Sequence, residues 1–420
     1  MNYRHQAVRR DGMPAQGEEI DARLESYLKQ RLAEAPGWRE VRALAESRSA
    51  PDPAHTPREI LQQPWVWQES AAIVADQMDS LADVLSDVSH VYLTGAGSSY
   101  YVGKCLESLL QNRLQRPVSA IPSTDLILEP ERRLKASARG LVISFSRSGR
   151  SPESFEVTRA VSDNFPTYRQ LLITTDQASE LFEHFSNTAN ASVLGLHPAS
   201  CDKGLAMTSS FTSMVIAGQA LAFLGKPDQY LEHVKGLSLL GSQVLNQAIA
   251  IVGRLKLDEI RRACVLGNGD LYGTALEGAL KMLELTDGRI STLAETFLGV
   301  RHGPLSFCDS QTLIVYLVSS HPTKRKYEKD LMQEVRDKRL GACRLGLGCQ
   351  LAELEGLFEG IDLSCVSAYP VPDDLRPPLD VILPQVLALR MSLALGFNPD
   401  NPSNRGAISR VVQGVTIHES

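Results

Sequence analysis

A basic surplus is the first thing missing from this sequence. Its 43 Lys and Arg residues face 49 Asp and Glu residues, for a net charge of -6. Nucleic-acid binding needs clustered cations to neutralise phosphates, so no nucleic-acid partner is expected. A long apolar run is missing too. The most apolar late stretch, residues 381–397, is broken by Gln385 and Arg390. A bilayer span takes about 20 apolar residues, so no membrane segment is expected. The first twenty residues lack the apolar stretch of about 7–15 residues on which a signal peptide depends. Seven cysteines (Cys105, Cys201, Cys264, Cys308, Cys343, Cys349 and Cys365) are scattered and never form C-x-x-C. That pattern excludes a zinc ribbon and a disulfide framework, and it predicts reduced thiols in a cytoplasmic protein. Core-forming material is ample: 43% of the 420 residues are hydrophobic and 22% charged. This is a globular composition, with length for about two domains at ~150 residues each.

The N-terminal arm reads separately from the rest. Ile20, Leu24, Leu28 and Leu32 recur at helical spacing until Pro36-Gly37, and a second short helix is expected to carry Trp38, Val41 and Leu44. Residues 50–57, rich in proline, form a linker. Nine basic and eight acidic residues in the first fifty leave no basic face for a DNA-reading helix. From about residue 56 short apolar strands alternate with helical runs. Val91–Thr94, Leu141–Ser146 and Leu171–Thr175 are nearly continuous apolar strands, and Leu313–Val318 and Ala342–Leu345 follow later. Such strands, separated by helices, indicate buried parallel sheets. Gly95, Gly97 and Tyr100 recur as Gly267, Gly269 and Tyr272, each set after a strand and before a helix. The expectation is therefore α/β, with a duplicated domain and a ligand cleft at the carboxyl ends of the strands.

The first glycine turn is not a dinucleotide fingerprint. The third glycine is replaced by Tyr100, and the second strand ends in Ser146-Arg147-Ser148-Gly149-Arg150-Ser151 instead of an acidic residue. No G-x-x-x-x-G-K-[ST] occurs. Hydroxyl-rich turns remain: Ser98 and Ser99 in one, Ser146, Ser148 and Ser151 in the next, and Thr208-Ser209-Ser210 after a further segment. At a helix N-terminus, free N–H groups, the dipole and serine hydroxyls together bind a phosphate monoester. The plainer alternative is that these residues only cap helices.

Glu277, Lys281 and Glu284 lie at i, i+4 and i+7 of a helical segment, on one face. An exposed salt-bridged face is the ordinary meaning of such a triplet. The apolar residues around it (Leu276, Ala279, Leu280, Met282, Leu283) favour a stripe that faces a cleft. There burial raises a carboxylate pKa and a neighbouring ammonium lowers it, which is how a general base is tuned. His302 precedes Gly303-Pro304 and so lies on a loop. It has no companion at ligand spacing, and no metal site is expected.

These segments resemble the sugar isomerase (SIS) domain family over residues 56–420. The most specific are GNGDLYGTALEGALKMLELT (267–286) with Arg301-His302-Gly303-Pro304, then LTGAGSSYYVGK (93–104) and ISFSRSGRSPES (143–154). Thr56–Pro64 and Arg410–Val415 resemble the galactosamine-6-phosphate deaminase and tagatose-6-phosphate isomerase branch. The resemblance implies two tandem SIS domains, at 56–245 and 246–395, behind an N-terminal helical arm and linker (1–55). A C-terminal tail (396–420) returns to the active site. It implies that Ser98, Ser99, Ser146, Ser148 and Ser151 hold a 6-phosphate, with Arg147 and Thr208 beside them, although Arg147 is equally readable as exposed. It implies that Glu284 moves a proton between C1 and C2, that His302 assists ring opening across a dimer interface, and that Lys281 acts on the same helix. No cofactor is implied. Glutamine-dependent synthesis is disfavoured, because Gln413 stands where the synthase has a lysine and only ~55 residues precede the SIS region. Release of ammonia from an amino sugar 6-phosphate by a homodimer is the expectation. A non-deaminating isomerase and a non-catalytic sugar-phosphate sensor are the alternatives.

Overall fold

The computed structural model describes residues 14–34, 55–136, 139–365, 371–412, 415–416 and 418. The expected second helix at Trp38, most of the linker, and Gln413 lie outside the described residues. The arm does form a helix, α1 (Pro14–Glu34). Leu24 and Leu28 are buried, and Arg31 donates to the Ser242 carbonyl at 2.5 Å and to Asn246 Oδ1 at 2.8 Å.

Two five-stranded parallel sheets follow. The first contains β1 (His90–Gly95), β2 (Val118–Pro122), β3 (Gly140–Ser146), β4 (Arg169–Thr174) and β5 (Ala191–Gly195), in the order β2-β1-β3-β4-β5. The second contains β6 (Arg262–Gly267), β7 (Ser291–Glu295), β8 (Thr312–Leu317), β9 (Cys343–Gly348) and β10 (Glu359–Asp362), in the order β10-β9-β8-β6-β7. Taken from its other edge, the second order is that of the first, so both sheets change direction between corresponding strands. In each sheet this switch point is where loops splay apart and a ligand crevice opens. The sequence pattern marked the strands buried on both faces. It missed β2, β5, β7 and β10, whose residues are partly exposed and less apolar. A continuous apolar run is a property of central parallel strands only.

The principal helices are α2 (Thr56–Asp76), α3 (Ser98–Leu114), α4 (Pro152–Asn164), α5 (Ser209–Gln219), α6 (Pro227–Gly253), α7 (Tyr272–Leu285), α8 (Pro322–Asp337) and α9 (Ile382–Ala394). Helix α6 is long and apolar enough to cross a membrane by composition, but Leu237, Leu240, Val244, Leu245, Ala248 and Val252 on it are buried in the core. The expected domain boundary at 245/246 falls inside α6, so the chain passes from one domain to the next within a helix. Helix α2 packs on α6 where Gly241 leaves room: a Cβ there would sit 2.6 Å from the Trp67 ring. Pro64 inside α2 has no N–H for the Ile60 carbonyl, and Gln63 Nε2 bonds that oxygen at 2.9 Å instead. The same amide group reaches Gln385 Oε1 on α9 at 2.8 Å, which ties the two ends of the described fold together.

Helices α3 and α7, the first long helix after the leading strand of each sheet, pack against each other. A Cβ on Gly273 would lie 2.7 Å from the Cys105 backbone nitrogen and 2.8 Å from its Sγ. Only glycine allows this approach. Replacing Gly273 by Val is expected to force the helices apart at a cost of ~1–3 kcal/mol or more. A urea denaturation midpoint equal to that of the parent protein would show that the crossing is not tight.

Candidate active site

The glycine turn after β1 is shaped by backbone geometry. A Cβ on Gly95 would sit 2.6 Å from the Ser99 carbonyl carbon, and Gly97 adopts φ +56°. The turn delivers Ser98 and Ser99 to the start of α3, where both are buried. In the loop after β3, Gly149 N–H donates to Ser146 Oγ at 3.1 Å and Arg150 N–H to Ser148 Oγ at 3.4 Å. These oxygens accept from the chain and keep their O–H donors for a ligand. Ser151 differs: its hydroxyl donates to Glu153 Oε2 at 2.6 Å in the first turn of α4.

The predicted stripe on α7 meets the first of these loops. Lys281 Nζ lies 2.6 Å from Glu284 Oε2, 3.2 Å from Glu277 Oε1, and donates to Ser98 Oγ at 2.9 Å. Glu277 and Lys281 are fully buried, whereas the Glu284 side chain is 22% exposed. Burial opposes the Lys281 charge, but the two carboxylates outweigh it and hold the ammonium above its ordinary pKa. A protonated amine is no nucleophile, so Lys281 acts as a fixed charge. Burial pushes Glu277 up to about 7, against the pull of Lys281, with Glu284 adding repulsion. Near neutrality Glu277 is therefore partly protonated, and Lys281 with Glu284 forms the persistent ion pair. Glu284 occupies the last turn of α7, where the helix dipole disfavours a negative charge. Lys281 offsets that penalty, and Glu284 is the one member of the trio open to the cleft.

Two of the expected phosphate contacts have other partners. The carboxylate of fully buried Asp202 accepts from the N–H groups of Thr208 (2.7 Å), Ser209 (3.0 Å) and Ser210 (2.9 Å), from Thr208 Oγ1 (3.0 Å), and from Ser210 Oγ. The N-terminus of α5 is thus filled by an internal anion, and Thr208 has no free donor there. Arg147 is buried, not exposed. It donates to the Leu205 carbonyl at 2.8 Å, the Gly204 carbonyl at 3.3 Å and the Arg410 carbonyl. Arg410 in turn donates to the Asp202 carbonyl at 2.6 and 2.9 Å. The pair braces the serine loop to the 202–205 segment and to the C-terminal tail. Beside the brace lies a cavity of about 410 Å³ lined by Leu205, Asp400, Ser403, Ile408 and Arg410. Arg405 and Ser403 also reach Asp287, just past α7, at 3.3 Å each.

His302 follows a short turn at Gly299–Arg301 and is exposed. Among the described residues no hydrogen bond joins it to Glu284 within one chain.

No family model matches the chain. A Streptomyces coelicolor protein of the D-galactosamine-6-phosphate deaminase AgaS group is 37% identical over 378 residues, covering 87% of this chain and 95% of its own length. The chain belongs to the AgaS family of sugar isomerase (SIS) proteins. An Escherichia coli D-galactosamine-6-phosphate deaminase AgaS is 32% identical over 384 residues, covering 86% of this chain and 95% of its own. The crystal structure of an Escherichia coli tagatose-6-phosphate ketose/aldose isomerase superposes with a TM-score of 0.78 at 30% identity, covering 87% of this chain and 99% of that one.

Sequence reasoning missed Asp202, Glu59, Asp400 and Arg410, which support this AgaS-family site from outside the motifs. Asp400 accepts from Thr56 N–H at 2.7 Å and His55 N–H at 3.0 Å, and Glu59 accepts from Lys203 N–H at 2.5 Å and Gly204 N–H at 3.2 Å. Nothing in their spacing announces them, because each partner is more than a hundred residues away. Burial, then repulsion from Asp202, raises Glu59 from 4.5 to about 8. A carboxyl raised on folding is protonated in both states below 4.5. Between 4.5 and about 8 the folded chain keeps a proton that the unfolded chain has lost, so this group's contribution to stability declines as pH rises. The variant Glu59→Gln is expected to flatten that part of the stability–pH curve. Parallel melting curves for variant and parent from pH 5 to about 8.5 would contradict it.

Proposed function

We propose that this chain is a deaminating aldose–ketose isomerase that converts galactosamine 6-phosphate to tagatose 6-phosphate and ammonia. The observation that carries the reading is the partly exposed Glu284 carboxylate, ion-paired at 2.6 Å with a buried lysine that also bonds a serine of the glycine turn. The AgaS relatives support the substrate. Ser98, Ser99, Ser146 and Ser148 grip the 6-phosphate; Ser98 accepts from Lys281 and donates outward. Arg147, Ser151 and Thr208 shape the loops around it. Binding energy from the phosphate, remote from the reacting carbons, holds C1 and C2 against the base. Glu284 takes the C2 proton of the open-chain aldehyde, giving an enolamine. Return of a proton to C1 gives a C2 ketimine, which water hydrolyses to the ketose and ammonia. The net reaction is hydrolysis of a C–N bond. Lys281 keeps the base ionised before transfer and steadies the charge that develops afterwards.

Ring opening is assigned to His302, delivered to the site of a second copy in a homodimer; its exposure and distance from its own Glu284 contacts support this. The cysteines whose side chains are described are all free, which fits a cytoplasmic enzyme.

The tagatose-6-phosphate isomerase neighbour favours a second reading, proton transfer without loss of nitrogen. Purified protein given galactosamine 6-phosphate, glucosamine 6-phosphate and tagatose 6-phosphate separately decides between them. Ammonia from the first substrate supports deamination, and interconversion of tagatose 6-phosphate with no ammonia from either amino sugar rejects it. Glu284→Gln is expected to lower kcat by about 10²–10⁴ with KM changed only a few-fold. Undiminished turnover would remove Glu284 from the mechanism.

A further inference from the structure

The second sheet has its own switch point, between β6 and β8, and nothing so far assigns it a role. The sequence offset that carries Gly95 onto Gly267 also carries Ser148 onto Ser320, and the strand register agrees: Thr94 pairs with Ser144 in one sheet, and Leu266 with Tyr316 in the other. Gly269 at φ +54° matches Gly97 at φ +56°. Both serine loops lead into a helix that opens on proline, α4 at Pro152 and α8 at Pro322.

At the second switch point the donors converge on a side chain of the protein itself. The carboxylate of Asp373 accepts from Ser319 Oγ, from Ser320 N–H at 2.9 Å, from Ser320 Oγ at 2.7 Å, and from Arg376 Nη1 at 3.1 Å. Arg376 is fully buried and is held on its other edge by Asp380 at 2.7 and 3.1 Å. Burial works against the charge of Asp373, yet Arg376 and the serines outweigh it, so its pKa lies below the ordinary range and it is an anion at neutral pH. On the facing loop Asp270 occupies the place corresponding to Ser98 and pairs with Lys324 at 3.5 Å.

We propose that the switch point of the second sheet is an anion site of the same design as the serine-loop site of the first, permanently filled by the Asp373 carboxylate, so that each chain takes one phosphate ligand. The filled site serves as a clasp. Asp373 holds the 371–376 segment on the second sheet, while the Leu375 carbonyl accepts from Gln219 Nε2 on α5 at 3.2 Å, joining that segment to the first domain. This inference rests on the phosphate reading of the first domain for its analogy, but its test reads the second site separately.

Asp373→Ala frees four donors around a space the size of a carboxylate. Formate and inorganic phosphate are expected to raise the Tm of this variant saturably, on the order of 2 °C or more beyond any effect on the parent. If the variant folds only in the presence of such anions, that result supports the clasp equally. No added anion dependence, or failure of formate to restore folding, overturns it. Equilibrium dialysis of labelled inorganic phosphate against the parent protein is expected to give one site per chain. Two sites overturn the inference, whereas no sites, with formate rescue intact, count against the first-domain phosphate reading alone.

Discussion

One ammonium group holds the candidate site together. Lys281 is wholly enclosed, and an enclosed cation persists only where neighbouring anions and hydrogen-bond acceptors replace its water. Glu277, Glu284 and Ser98 supply those partners. The lysine belongs to the second domain and the serine to the first, so the arrangement that satisfies the charge also sets the spacing between loop and base. Gly273 makes this possible by letting α7 lie directly on α3. Removing the ammonium would leave two buried or half-buried carboxylates to repel each other at the end of a helix.

Internal carboxylates play a complementary part. Asp202 occupies the N-terminus of α5, and Asp373 occupies the loop after β8. Each satisfies backbone and hydroxyl donors that would otherwise be open to a ligand. Only the serine loops after β1 and β3 retain outward donors, which concentrates anion binding in one place of a chain that contains several superficially similar turns. Arg147 and Arg410 add a second tier, in which guanidinium groups bond main-chain carbonyls and hold loop, strap and tail in register.

Much of this was legible in the residues alone. The central strands declared themselves by continuous apolar runs, and the glycine turns by their spacing. The stripe of Glu277, Lys281 and Glu284 followed from helical period. The edge strands were not legible, since β7 and β10 are largely exposed and carry mixed residues. Thr208 and Arg147 show a different limit. A threonine before Ser-Ser resembles any other phosphate-binding turn until Asp202, six residues earlier, folds back on it. An arginine in a serine loop resembles a phosphate ligand until three carbonyls from distant segments surround it.

The sequence by itself determined the alternation of strand and helix, the two glycine turns, the hydroxyl loops and the one-sided acid–base stripe. All of these depend on neighbours within a few residues, through period, backbone freedom and turn chemistry. Only the tertiary structure decided which hydroxyls keep a free donor, which carboxylate opens to the cleft, and that one switch point is filled from within. Those outcomes depend on burial and on partners such as Ser98 with Lys281, 183 positions apart, or Arg147 with Arg410, 263 apart. A short window of sequence contains one member of such a pair and no sign of the other.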